Sequence, residues 1–155
     1  MHRALALPVA AVIAAGALAG CGGSGTVSTE DYAKTVVSTR DRVDFAVAQI
    51  TAGQGSFDEL VTRMEAAADR IDSAADDLDE AGSAEGFDDE TAKLVAAFHQ
   101  FAASLSATAH DASQPGMEGL LTGTNALQFP GWTAANRVLA SLKAQGIAVE
   151  PIGSH

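Results

Sequence analysis

Three stretches of the chain repeat an apolar or small position every three or four residues. Tyr32, Val36, Thr39, Val43, Ala46 and Ile50 are spaced 4-3-4-3-4. Leu60, Met64, Ala67, Ile71, Ala74 and Leu78 repeat that spacing, and Thr91, Leu94, Phe98, Phe101, Leu105, Thr108 and Ala112 run 3-4-3-4-3-4. A mean period of ~3.5 residues is the stripe of helices packed with a left-handed twist, and strand alternation fits none of the three segments. Trp132, Ala135, Leu139 and Leu142 return to 3-4-3 spacing and predict a shorter fourth helix over about 131–145.

The punctuation agrees with the periods. Ser28 or Thr29 is placed to cap the first helix, with Glu30 and Asp31 at its positive end, and Gly53 and Gly55 stop it. Ser56-Phe57-Asp58-Glu59 is a capping box, Gly82 ends the second helix, Asp88 is expected to cap the third, and Gln114-Pro115-Gly116 closes it. Gly146 suits the first position beyond the fourth helix, where Ile147 can reach back to Leu142 in a Schellman motif. Short connections between long helices imply an all-α, antiparallel four-helix bundle, with the fourth helix covering the face that three would leave open. Its boundaries are expected at 28–147, with 148–155 a C-terminal tail. Phe98, Phe101, Phe45, Phe57 and Trp132 are expected to supply the bulk of a core otherwise lined with Ala and Thr.

Residues 1–20 have a different character. Arg3 is the one firm charge, and the 16 residues from Ala4 to Ala19 are apolar apart from Pro8 and Gly16. As a helix they would reach ~24 Å, short of a ~30 Å hydrocarbon core. A basic start, an apolar centre and small residues at the end are the pattern of a secretory signal. The only cysteine of the chain, Cys21, follows directly. A single cysteine cannot form an internal disulfide, and without neighbouring His or Cys it makes a poor metal ligand. Leu18-Ala19-Gly20-Cys21 resembles the lipobox of bacterial lipoprotein precursors. That resemblance implies cleavage between Gly20 and Cys21 and diacylglyceryl transfer to the Cys21 sulfur. It implies a location at the outer face of the cytoplasmic membrane. Two or more acyl chains hold a protein stably, at ~0.8 kcal/mol per buried CH₂, where one holds it marginally. Residues 21–27 then read as a flexible tether. Alanine-rich composition and an excess of arginine over lysine, 6 to 3, resemble the usage of GC-rich bacteria such as actinobacteria.

The whole chain carries a formal net charge of −11, and loss of Arg3 with the leader makes the remainder more negative still. This balance argues against nucleic acid and against direct binding to anionic lipid, so the membrane contact rests on the lipidated Cys21. His99 and His110 lie 11 residues apart, a rise of ~16 Å that is too long for one metal ion, and both fall outside the apolar stripe, as solvated side chains do. Residues 76–90 hold 8 acids and no base, with Asp76, Asp77, Asp79 and Glu80 at a helix C-terminus as a candidate weak cation cluster. The topology turns this acidic stretch toward the headgroups. Phe129-Pro130-Gly131-Trp132 reads first as a helix start, with Phe129 and Trp132 as a candidate partner patch. No nucleophile elbow, zinc-protease motif, phosphate loop or Glu-x-x-His pair occurs, so neither catalysis nor a cofactor is expected. The expected role is non-enzymatic binding or an accessory function toward an envelope protein partner. The alternative is a carrier of a small apolar ligand between the helices.

Overall fold

A computed structural model describes residues 27–52, 55–114 and 129–154. Four helices make up most of them: α1 (Thr29–Thr51), α2 (Phe57–Ala81), α3 (Asp88–Ala112) and α4 (Pro130–Ala144). Among the described residues there is no strand, and no helix is long and apolar enough to cross a membrane. Packing runs α1 on α2, α2 on α3 and α3 on α4. The pairs are antiparallel, as their cross-links show. Arg42 of α1 meets Asp77 of α2 while Arg63 Nε donates to the Ile50 carbonyl at 3.2 Å. Gln145, capping α4, reaches Glu90 at the start of α3, while Gly131 at the start of α4 lies against Ala97 and Phe101.

Local chemistry sets most helix ends. Ser28 accepts from the Asp31 N–H at 3.1 Å. Ser56 and Glu59 satisfy each other's backbone in the expected capping box, at 3.3 and 2.8 Å. The α4 terminus is a full Schellman motif: the Ile147 N–H donates to the Leu142 carbonyl at 3.0 Å, the Gly146 N–H to that of Lys143 at 3.1 Å, and Gly146 sits at φ 98°. The start of α3 departs from expectation. Phe87, not Asp88, is the cap residue and supplies no side-chain bond; Asp88 is the first helical residue and accepts instead from the Ser83 hydroxyl. Tertiary packing makes that choice. The Phe87 ring lies 5.2 Å from the Tyr32 ring, and Tyr32 donates at 2.7 Å to Thr91, whose own hydroxyl donates to the Phe87 carbonyl. Val27, counted with the tether by sequence, packs on the core and bridges to Ala84 of the α2–α3 turn. The chain therefore enters the bundle beside that turn.

The core follows the stripes. Tyr32, Val36, Val43, Ile71, Leu78, Leu94, Phe98, Phe101, Leu139 and Leu142 are fully buried. Phe45 is not among them. It is 59% exposed, contrary to its expected place in the core. It lies two residues from Val43, roughly 200° around the helix, so the stripe that buries Val43 turns Phe45 outward. Phe57 is only partly buried. Gly131 marks a close approach of α4 to α3. A Cβ there would stand 2.3 Å from the Phe101 nitrogen and 2.6 Å from the Ala97 carbonyl oxygen.

Two outcomes test this packing. Gly131→Ala is expected to lower unfolding stability by ~2–3 kcal/mol, since a methyl group has only rigid backbone to displace; urea denaturation reads it directly. The chain has one tyrosine, so tyrosinate absorbance reports Tyr32 alone. Burial pushes its phenol above the ordinary 10.0, with the Thr91 hydrogen bond opposing and Glu90 and Asp88 reinforcing. Stability linked to the neutral phenol is whole below pH 10.0 and declines as pH rises beyond it. Alkaline titration should show Tyr32 ionising above its value in urea, and Tyr32→Phe should flatten the alkaline loss of stability.

Candidate functional site

The bundle is closed by a segment that, from residue 148 on, reads from sequence as a tail. Residues 147–154 fold back along α4 and fill the seam between α4 and α1, burying Ile147, Val149 and Ile152. Polar groups from both helices hold its backbone. Asn136 of α4 accepts from the Ile152 N–H at 2.8 Å. Arg40 of α1 donates from Nε to the Glu150 carbonyl at 3.1 Å and from Nη2 to the Pro151 carbonyl at 2.9 Å and the Ser154 hydroxyl at 3.1 Å. Asp44 accepts the Gly153 N–H at 2.8 Å, and Arg40 lies 3.8 Å from its other oxygen. The Asp44 side chain is only 6% exposed, so the backbone donor and the guanidinium offset a carboxylate removed from water. Gly153 sits at φ 80° against the Trp132 ring, where a Cβ would come within 2.9 Å of Cζ2. Any side chain there meets both backbone strain and a collision.

The sequence-marked residues distribute differently from expectation. Gly20 and Cys21 lie outside the described residues. Phe129 and Trp132 form no outward patch: both are buried, with their rings 5.7 and 5.5 Å from that of Phe101. The helix-start reading of this stretch is the one observed, with Pro130 at the first turn of α4. The acids of the α2 terminus do not converge. Asp77 pairs with Arg42 at 2.5 Å, Asp76 points toward His99, and Asp79 and Glu80 are exposed. Among the described residues no group of three or more His, Cys, Asp or Glu side chains comes together as a metal site would need. His110 is exposed as expected. His99 instead bridges α3 to α2, its Nδ1 donating to Asp72 at 2.7 Å with Asp76 3.6 Å from Nε2.

The open surface of the α1–α2 pair is the feature that sequence reasoning missed. Exposed Phe45 lies between two shallow clefts. One of about 260 Å³ is lined by Arg42, Phe45, Asp69, Arg70 and Ser73. The other, of about 500 Å³, is lined by Lys34, Val37, Ser38, Asp41, Arg42 and Phe45. Three bases and two acids frame the ring on a chain whose overall charge is −11. Lys34 and Arg42 carry intrachain ion pairs, both largely exposed and worth little to stability, while Arg70 has none among the described residues. Phe45 is a large exposed aromatic beside a guanidinium that has no ion pair among the described residues. The signal was present in the sequence, since the 3.5-residue period places position 45 off the stripe. No protein-family model, curated protein or solved structure matches this chain.

Arg40→Ala is expected to cost ~2–3 kcal/mol, because it strips charge-assisted donors from the segment and leaves Asp44 with less compensation. Hydrogen exchange should then show the amides of Ile152 and Gly153 losing protection before those of α2 and α3.

Proposed function

We propose that this chain is a lipid-anchored, extracytoplasmic lipoprotein at the outer face of the cytoplasmic membrane, with a non-enzymatic binding or accessory role in the cell envelope. The observation that carries the reading is Leu18-Ala19-Gly20-Cys21 at the end of an apolar leader. The position of Val27 supports it. Five residues separate Cys21 from Val27, which is already packed, so the tether reaches at most ~20 Å and keeps the bundle close to its anchor.

The orientation follows from where the chain enters. Val27 pairs beside Ala84, so the start of α1 and the α2–α3 turn share one end. Glu30, Asp31, Glu80, Asp88, Asp89 and Glu90 collect there, with Lys34 the neighbouring base. This end faces the headgroups and is repelled by anionic lipid, within a Debye length of ~8 Å at physiological salt. The acyl chains hold the bundle down while its own acids hold it off, so it stands upright and presents its long sides. The binding role rests on the Phe45 surface, an exposed aromatic on one of those sides.

Mass spectrometry of the membrane-extracted protein is expected to find residues 1–20 gone and Cys21 carrying diacylglycerol. Cys21→Ser should move the chain from the detergent phase to the aqueous phase on cloud-point partition. A bare Cys21 thiol with the leader still attached rejects the reading.

A further inference from the structure

The groups that hold residues 148–154 in the α1–α4 seam read backbone more than side chains. Asn136 brackets Ile152, accepting from its N–H at 2.8 Å and donating from Nδ2 to its carbonyl at 3.5 Å. Arg40 donates to the Glu150 and Pro151 carbonyls, and Asp44 takes the Gly153 N–H. The bonds to side chains, from Lys143 to Glu150 and from Arg40 to Ser154, end on exposed residues of the segment. Any chain with the same backbone course offers the same amides and carbonyls. Choice among chains falls where the segment is enclosed. Val149 and Ile152 are buried, and position 153 needs a glycine, with its φ of 80° and the Trp132 ring beside it. The seam is thus furnished to recognise a chain segment, and its resident occupant defines the chemistry it takes.

We propose that this seam is a peptide-binding groove, occupied in the free protein by residues 148–154 and taken over by a partner protein's segment of the same Val-x-Pro-Ile-Gly chemistry. Two features favour exchange over permanence. A groove that holds a buried carboxylate and its guanidinium is costly to leave empty, yet any segment with matching amides and carbonyls satisfies it. One filled state can therefore replace another while the bundle stays closed. The resident segment also leaves a group unsatisfied. Trp132 Nε1 is buried and has no hydrogen-bond partner among the described residues. It lies two bonds from Cζ2, the ring atom nearest position 153. A partner that brings an acceptor to that edge makes a bond the resident segment does not. Past the Schellman turn, which ends at Ile147, only Val149 and Ile152 bury apolar side chains fully, so this part of the closure opens locally at least cost. The groove is independent of the anchor at Cys21 and of the Phe45 clefts.

The test is fluorescence anisotropy of a labelled synthetic peptide, residues 147–154 of this sequence, titrated with the full chain in a non-ionic detergent. In the wild type the tethered segment competes at an effective concentration of ~1 mM, so the peptide binds weakly. Ile152→Asp and Gly153→Val, made in the chain and not in the peptide, release the resident segment. Each is expected to tighten peptide binding by ~10-fold or more, because the open fraction rises. Adding Asn136→Ala to either should remove that gain. A peptide that itself carries Ile152→Asp should bind ~10-fold more weakly or worse, since a carboxylate would enter an apolar pocket. Circular-dichroism melts show that the release variants are folded. Should neither fold, hydrogen exchange of the wild type decides: the Ile152 and Gly153 amides are expected to exchange by local opening, well ahead of those of α2 and α3. Exchange of all these amides together overturns the proposal. Folded release variants that bind the peptide no more tightly than wild type overturn it too, and so does equal binding of the Ile152→Asp peptide.

Discussion

The bundle depends on the polar clasp between Arg40, Asp44 and the backbone of residues 150–154. The fourth helix has 15 residues where the others have 23 to 25, and it packs on α3 rather than bridging to α1. The seam left between α1 and α4 would expose the apolar sides of both. A segment without helical hydrogen bonds of its own can fill it only if its amides and carbonyls find partners, because buried backbone groups left unpaired cost more than the apolar contact returns. Asn136 and Asp44 take its amides, and Arg40 donates to its carbonyls. The buried charges of the clasp are thereby explained as the condition for seating Ile147, Val149 and Ile152.

This closure also decides which surface of the molecule stays open. The seam side of α1 is occupied by the C-terminal segment and its α2 side by α2 itself. What remains is the outer strip carrying Lys34, Ser38, Asp41 and Phe45, continued onto Asp69, Arg70 and Ser73 of α2. The same geometry puts the acids of the α2–α3 turn at the end where the chain enters, away from the Phe45 side. The entry end of the chain and the Phe45 clefts are thus different parts of the molecule.

Much of the fold was legible one helix at a time. The 3.5-residue stripes of α1, α2 and α3, the Ser56–Glu59 capping box and the Gly146 Schellman turn are interactions over one or two turns, and each was readable from neighbouring residues. The outward turn of Phe45 was implicit in the same period, but its aromatic character argued for the core and masked it. The α3 cap was misread for a different reason. Asp88 has the right chemistry, yet the Phe87 ring gains a stacking partner in Tyr32, far away in sequence, and that contact sets where the helix begins.

The sequence by itself determined that the described chain is helical and where most helices begin and end. These depend on short-range hydrogen bonds and on the angular repeat of a helix, both written in adjacent residues. Only the tertiary structure decided that residues from 148 on pack as a closure of the bundle, with Val149 and Ile152 buried, and that His99 joins two helices. It also withdrew Phe129 and Trp132 into the interior and left Phe45 outside. Those outcomes rest on groups brought together from distant parts of the chain, such as Arg40 with Pro151, whose meeting exists only once the helices have packed.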